Sequence, residues 1–284
     1  MLSLQPPPPH APPPNPSTTL NRITAKFQEL QQTSRKALIG YLTIGDPTPE
    51  TSCQILKAAC AAGLDILELG VPFSDPTADG PVIQAGGQRA LRAGMSLSKV
   101  LDMAARLRQE TDTPMLLFSY YNPLFKYGLE RLAKAAQSAG IDGLLVVDLP
   151  PEESAPLRAA LAGTNLQVIL LAAPTTRPDR LRMIAQKTQG FLYLITKAGT
   201  TGEGGLDLDA IRRHAAEVKA VSPLPVCLGF GIRNEDDARQ LGPMADGIIV
   251  GSALVRIIAE NPDAPDLPAR VAEKIRALRR GLDQ

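Results

Sequence analysis

Short apolar runs recur along this chain at residues 37–43, 65–69, 115–120, 143–148, 167–172, 191–196, 225–229 and 247–250. Several are nearly continuous in Val, Ile and Leu, the pattern of parallel strands buried on both faces. Between them apolar positions return at helical spacing, at 51–62, 97–110, 129–139, 152–162, 178–187, 208–221 and 234–240. One more helix is predicted ahead of the first strand, at 21–34, and a last amphipathic one from 267 to about 280.

This alternation amounts to eight strand–helix units in about 265 residues, close to the roughly 250 residues of a (β/α)8 barrel. The predicted fold is therefore α/β, a single-domain (β/α)8 TIM barrel over residues 19–284. An open doubly wound sheet is the competing arrangement. It calls for a glycine-rich first turn, and Thr43-Ile44-Gly45-Asp46 does not supply one. Gly229-Phe230-Gly231 starts like a dinucleotide fingerprint, but Asn234 stands where the last glycine belongs. Residues 1–18 stand apart from the barrel. Eight prolines in the first twenty positions leave neither a helix nor a core face, so a disordered, polyproline-like tail is expected there.

Charge narrows the function classes. A formal net charge of +1, with no basic stripe and interleaved aromatics, gives no footprint for nucleic acid or an anionic membrane. No apolar run approaches the roughly 20 residues of a membrane span, and the N-terminus lacks the basic start and apolar core of a secretory signal. Cys53, Cys60 and Cys227 form no CxxC pair and no zinc-ligand spacing, so no metal site is expected. Three isolated thiols suit a reducing cytoplasm, each as a small buried hydrophobe. Of two histidines, His10 lies among prolines and His214 sits in a polar run, read as a solvated helix position. Acid–base chemistry is then left to carboxylates, Lys, Tyr or Cys.

In barrels of this kind the chemistry sits at the C-terminal strand ends, often with a phosphate held after strands seven and eight. The seventh run ends in Gly229-Phe230-Gly231 and the eighth in Gly251-Ser252-Ala253-Leu254. Glycine lets backbone N–H groups come close to phosphate oxygens, and a helix starting at Gly251-Ser252 would aim more of them at the anion. A third glycine cluster, residues 198–205, follows the sixth strand; it suits a lid, or a plain flexible linker. Glu68 is an acid inside the second strand. Alternation places it with Ile66 on one face, opposite Leu67 and Leu69. A buried carboxylate is paired, neutral or functional, and a strand's C-terminal end favours function. The loop that follows carries Asp75 and Asp79, in dipeptides that also occur in ordinary turns.

The run Glu68-Leu69-Gly70-Val71-Pro72-Phe73-Ser74-Asp75-Pro76-Thr77-Ala78-Asp79-Gly80-Pro81 resembles the signature of the tryptophan synthase α subunit family. Thr43-Ile44-Gly45-Asp46-Pro47, Tyr120-Tyr121-Asn122-Pro123 and Asp148-Leu149-Pro150-Pro151-Glu152-Glu153 match it in order. So do Phe191-Leu192-Tyr193-Leu194, Gly229-Phe230-Gly231-Ile232 and Gly251-Ser252-Ala253. The resemblance spans about residue 20 to the C-terminus. It implies a barrel that cleaves indole-3-glycerol phosphate to indole and glyceraldehyde 3-phosphate by a retro-aldol step. It implies that Glu68 carries the proton and that Asp79 accepts the indole N–H. Tyr120, Tyr193 and Phe230 would wall the indole pocket, and Thr201, Gly202, Gly231, Gly251 and Ser252 would bind the rest of the substrate, its phosphate above all. The resemblance also implies a β subunit as partner in an α2β2 assembly, with pyridoxal phosphate in that partner and no cofactor in this chain. Departures are Thr77 for a usual Leu, Gly86 for a common Ala, Thr200 for Val, and Glu203 in place of a basic residue. With Gly87, Gly86 is expected to weaken a helix start by about 1 kcal/mol each. These departures bear on the loop and lid rather than on the catalytic groups.

Other readings differ in what they require. A sugar-phosphate epimerase barrel needs strand-end histidines for metal, and a Schiff-base aldolase needs a strand-borne lysine; Lys197 falls in the glycine-rich segment instead. A non-catalytic regulatory subunit has no need of both Glu68 and Asp79. A stand-alone lyase releasing free indole would carry the same residues.

Overall fold

In the computed structural model, residues 20–196, 207–229 and 231–284 are described. The strands are β1 (Ala37–Thr43), β2 (Ile66–Gly70), β3 (Met115–Ser119), β4 (Gly143–Val146), β5 (Gln167–Ala172), β6 (Leu192–Ile195), β7 (Val226–Gly229) and β8 (Gly247–Val250). The helices are α1 (Arg22–Gln32), α2 (Pro49–Ala61), α3 (Pro81–Arg92), α4 (Leu97–Arg108), α5 (Tyr121–Tyr127) and α6 (Leu129–Ser138). They continue as α7 (Ala155–Leu161), α8 (Pro178–Lys187), α9 (Leu208–Val221), α10 (Glu235–Leu241), α11 (Ser252–Glu260) and α12 (Leu267–Leu282). Each strand pairs in parallel with the next and β8 returns to β1, so the sheet closes. This is the (β/α)8 barrel that the alternation predicts.

Two apolar layers follow from the period of two. Leu38 and Leu42 of β1, with Leu67 and Leu69 of β2, face the helical shell; Ala37, Ile39, Ile66, Leu116, Leu145, Ile169 and Ile249 fill the barrel interior. The N-terminal end is stoppered by α1, whose Ile23, Phe27 and Leu30 join the interior layer, with Phe27 lying 5.6 Å from the Phe191 ring. Asn21 both caps and anchors this helix. Its Oδ1 accepts the Ile23 N–H at 2.8 Å, while Nδ2 donates to the carbonyls of Asp142 at 2.8 Å and Asn165 at 2.6 Å.

Side chains at the strand entrances brace neighbouring strands. Asp65, just before β2, accepts the Leu38 N–H of β1 at 2.8 Å. Asp142, before β4, accepts the Met115 N–H of β3 at 2.8 Å, and Asp246, before β8, accepts the Val226 N–H of β7 at 2.9 Å. Between β5 and β6 the same work falls to Thr188 and Gln189, which take the Leu170 and Val168 N–H groups. Each aspartate also meets a cation: Arg279, Arg108 and Lys219 in turn.

The structure corrects three expectations. Pro81 opens a twelve-residue helix, α3, that the alternation does not reveal. Gly86 and Gly87 therefore lie in its interior, not at a helix start, and both are buried. His214 is only 16% exposed and its Nε2 is buried without a partner among the described residues, so it is no solvated position. It follows Ile211 by three residues and precedes Val218 by four, which puts it on the core stripe of α9. Cys227 is buried as expected, but Cys53 and Cys60 are only partly so.

Candidate active site

Glu68 projects into the barrel from β2, level with Tyr41 on β1 and Leu116 on β3. It is 1% exposed, and among the described residues neither carboxylate oxygen has a hydrogen-bond partner. Burial in this apolar setting lifts its pKa from 4.5 to about 8. Gly70 lies two residues on, on the same face. A Cβ there would come within 2.3 Å of the Tyr41 hydroxyl, so glycine at this position admits the tyrosine ring above Glu68. The arrangement repeats across the barrel, where a Cβ at Gly229 would come within 2.4 Å of Tyr193. Phe118 meets Tyr41 edge-on at 5.1 Å. Burial also pushes the Tyr41 and Tyr193 hydroxyls well above the usual phenol range, so both stay protonated.

Asp79 belongs to the loop that leaves β2 and enters α3. The loop folds on itself through an Asp79 N–H to Pro76 carbonyl bond of 3.1 Å. Gly80 and Pro81 then start α3, proline costing nothing where no N–H partner exists. Desolvation raises the Asp79 pKa to about 6, against the pull of a hydrogen bond from Tyr120. The Tyr120 hydroxyl also accepts the Ala78 N–H at 2.9 Å. Its ring lies 5.2 Å from Phe73. Tyr120 thus backs the Asp79 loop.

Opposite the carboxylates, Gly231 adopts a positive φ of 80°, and Gly251 and Ser252 open the nine-residue helix α11. The Leu254 N–H already reaches the Gly251 carbonyl at 2.9 Å, which leaves the N–H groups of Ser252 and Ala253 to face an occupant, and the helix dipole adds positive potential there. An anion is the natural occupant.

One pocket joins these parts: Glu68, Asp79, Tyr193, Gly231, Gly251 and Ser252 all line it. Tyr41, Phe118, Ile83, Ile232 and Ile249 complete its wall and were not singled out from the sequence. Alternation puts Tyr41 and Phe118 on interior faces, but only the pairing register sets Tyr41 beside Glu68. Thr201, Gly202 and Phe230, with Lys197, Thr200 and Glu203, lie outside the described residues. Thr77 is exposed, and its N–H donates to the Asp75 carbonyl at 3.0 Å. Among the described residues no group of three or more His, Cys, Asp or Glu side chains could hold a metal, and no helix is long and apolar enough to cross a membrane.

The model of the tryptophan synthase alpha chain family matches residues 27–282. The tryptophan synthase alpha chain of Desulfosudis oleivorans is 50% identical over 257 residues, covering 90% of this chain and 97% of the relative. That of Desulfatibacillum aliphaticivorans is 48% identical over 257 residues, with the same shares. Among solved structures, tryptophan synthase subunit alpha from Legionella pneumophila superposes with a TM-score of 0.88 at 37% identity, covering 93% of this chain and 99% of that one. Mycobacterium tuberculosis tryptophan synthase gives a TM-score of 0.86 at 33% identity, over 94% of this chain and 100% of the other.

Proposed function

The chain belongs to the tryptophan synthase alpha chain family, and we propose that Glu68 and Asp79 divide between them the proton chemistry of its reaction. It is the carbon–carbon lyase that cleaves indole-3-glycerol phosphate. The family's alpha chain needs no cofactor; pyridoxal phosphate serves the β subunit with which it pairs. We place its work in the cytoplasm, where three unpaired thiols and a biosynthetic role fit.

One observation carries the assignment of roles: two carboxylates in a single pocket hold protons with different strengths, about 8 for Glu68 and about 6 for Asp79. Near neutral pH Glu68 is an acid and Asp79 an anion. Glu68 gives its proton to the indole ring carbon that bears the glycerol chain. That leaves positive charge on the ring nitrogen, whose N–H Asp79 accepts. The emptied Glu68 carboxylate takes the proton of the adjacent side-chain hydroxyl; the carbon–carbon bond breaks, its electron pair returns to the ring, and the hydroxyl carbon leaves as the aldehyde. The proton given remains on the ring carbon as a C–H of indole, and the hydroxyl proton replaces it on the carboxylate, so Glu68 ends as it began. Tyr41, Phe118 and Tyr193 would pack the indole, while Gly231, Gly251 and Ser252 would hold the phosphate. For Tyr120 we propose a role behind Asp79. Thr201, Gly202 and Phe230 stay assigned by resemblance alone.

The test is indole release from indole-3-glycerol phosphate. Glu68→Gln should fold and lose nearly all turnover, since an amide cannot shuttle the proton. Asp79→Asn should lose about 10²-fold or more, the usual scale of general acid–base effects. Substantial turnover by folded Glu68→Gln would falsify the scheme.

A further inference from the structure

Asp79 lies on neither strand nor helix, so what fixes its carboxylate is what fixes its loop. That loop is held from two sides. Tyr120 takes the Ala78 N–H from the β3 end. From α3, the Gln84 side-chain amide donates to the Asp79 carbonyl at 2.9 Å and to the Pro76 carbonyl at 3.3 Å. These are the two ends of the turn already closed by the Asp79 N–H. A primary amide has two hydrogens, and here both go to one turn.

We propose that Gln84 is a positioning residue for the lyase reaction, acting on Asp79 through the backbone of residues 76–79; this rests on the Asp79 role given above. Its own footing is firm. The Gln84 N–H donates to the Gly80 carbonyl at 3.0 Å, in the first turn of α3. Further along α3, Arg89 makes a two-toothed ion pair with Asp46, at 2.6 and 2.8 Å, and Asp46 is fully buried in the turn that follows β1. The line of support runs from β1 through Asp46 and Arg89 into α3, and from Gln84 to the turn. Gln84 is not a helix cap. The α3 N-terminus has no side-chain cap, and the carbonyls that Gln84 meets lie before the helix. A displacement of the order of 1 Å in a reacting group can cost about 10²-fold in rate, so a clamp too weak to decide folding can still decide turnover.

Gln84→Met keeps the length and removes both donors. It should lower kcat about 10- to 100-fold with little change in KM, and leave Tm near that of the parent. Gln84→Glu, whose carboxylate cannot donate, should fall as far, and guards against a packing fault peculiar to Met. The deciding comparison is a double-mutant cycle with Asp79→Asn. If Gln84 acts through Asp79, Gln84→Met costs nothing further in that background. Parent kcat in both Gln84 variants, or an equal loss with Asp79→Asn already present, overturns the clamp and leaves the Asp79 role intact. Full turnover by Asp79→Asn alone overturns both.

Discussion

The Tyr120 hydroxyl pulls Asp79 downward while nothing offsets burial at Glu68, and so two carboxylates in one pocket settle at about 6 and about 8. Glu68 is in its acid form below the higher value, and Asp79 is ionised above the lower one. Turnover at limiting substrate should therefore follow a bell, falling below pH about 6 and above about 8. Tyr120→Phe removes the hydrogen bond that favours ionised Asp79, so its pKa rises. The acid limb of kcat/KM should move to higher pH while the alkaline limb stays. An acid limb that does not move would mean it belongs to another group.

At the scale of elements, α3 is the one that joins the site to the shell, and it is also the one hidden in the sequence. Proline at position 81 and paired glycines at 86 and 87 imitate a loop. Packing supplies the reason for Gly86: a Cβ would sit 2.8 Å from Asp46 Oδ2 and 3.1 Å from Val255. Two effects oppose each other in Gly86→Ala. Helix propensity gains about 1 kcal/mol, whereas forcing a methyl into a filled contact costs about 1–3 kcal/mol. Because Arg89 grips Asp46 with both oxygens, the carboxylate cannot swing aside. A net loss near 1 kcal/mol is expected, read as a lower urea midpoint; a gain would show that α3 slides freely. The strands were easier to read. Runs at 37–43, 167–172 and 247–250 match β1, β5 and β8 end to end, since burial on both faces leaves an unbroken apolar signature. Elsewhere the ends differ by one or two residues; Asp65, read as the first residue of the second strand, sits just before β2, where its carboxylate takes the Leu38 N–H. Glu68 and the late glycines were legible as acid in strand and glycine at strand end. Tyr41 and Gln84 were not: Tyr41 meets Glu68 only through the β1–β2 register, and Gln84 turns back to Asp79 only once α3, the helix hidden in the sequence, has formed.

For the molecule as a whole, the boundary of the folded unit can be tested at Asn21. The family match begins at residue 27, yet Asn21 bonds both Asp142 and Asn165. Removing residues 1–18 should leave Tm and turnover unchanged, as expected of a tail outside the 19–284 domain. Removing residues 1–21 should lower Tm, by the loss of a cap worth about 1 kcal/mol and of its anchoring bonds. Equal melting of the two truncations would show that the stopper helix does not depend on its cap.

The braces at the strand entrances share one geometry. Gly63-Leu64-Asp65-Ile66, Gly140-Ile141-Asp142-Gly143 and Met244-Ala245-Asp246-Gly247 open β2, β4 and β8 alike, each aspartate taking an N–H of the preceding strand. Three residues after the aspartate, β4 and β8 carry the interior aliphatics Leu145 and Ile249, and β2 carries Glu68. Glu68, the proposed proton carrier, thus occupies a position that β4 and β8 fill with hydrocarbon. In the folded chain Glu68 keeps its proton up to about pH 8, whereas its ordinary value is 4.5. Between those values unfolding releases a proton, so Glu68 subtracts stability as pH rises through that window, on the order of a few kcal/mol by its upper end. Glu68→Leu, inert as a lyase, should therefore melt higher than the parent at pH 8 and nearly level with it at pH 4. If the two proteins melt alike at both, burial does not hold the Glu68 proton, and its carboxyl titrates near the ordinary value of 4.5.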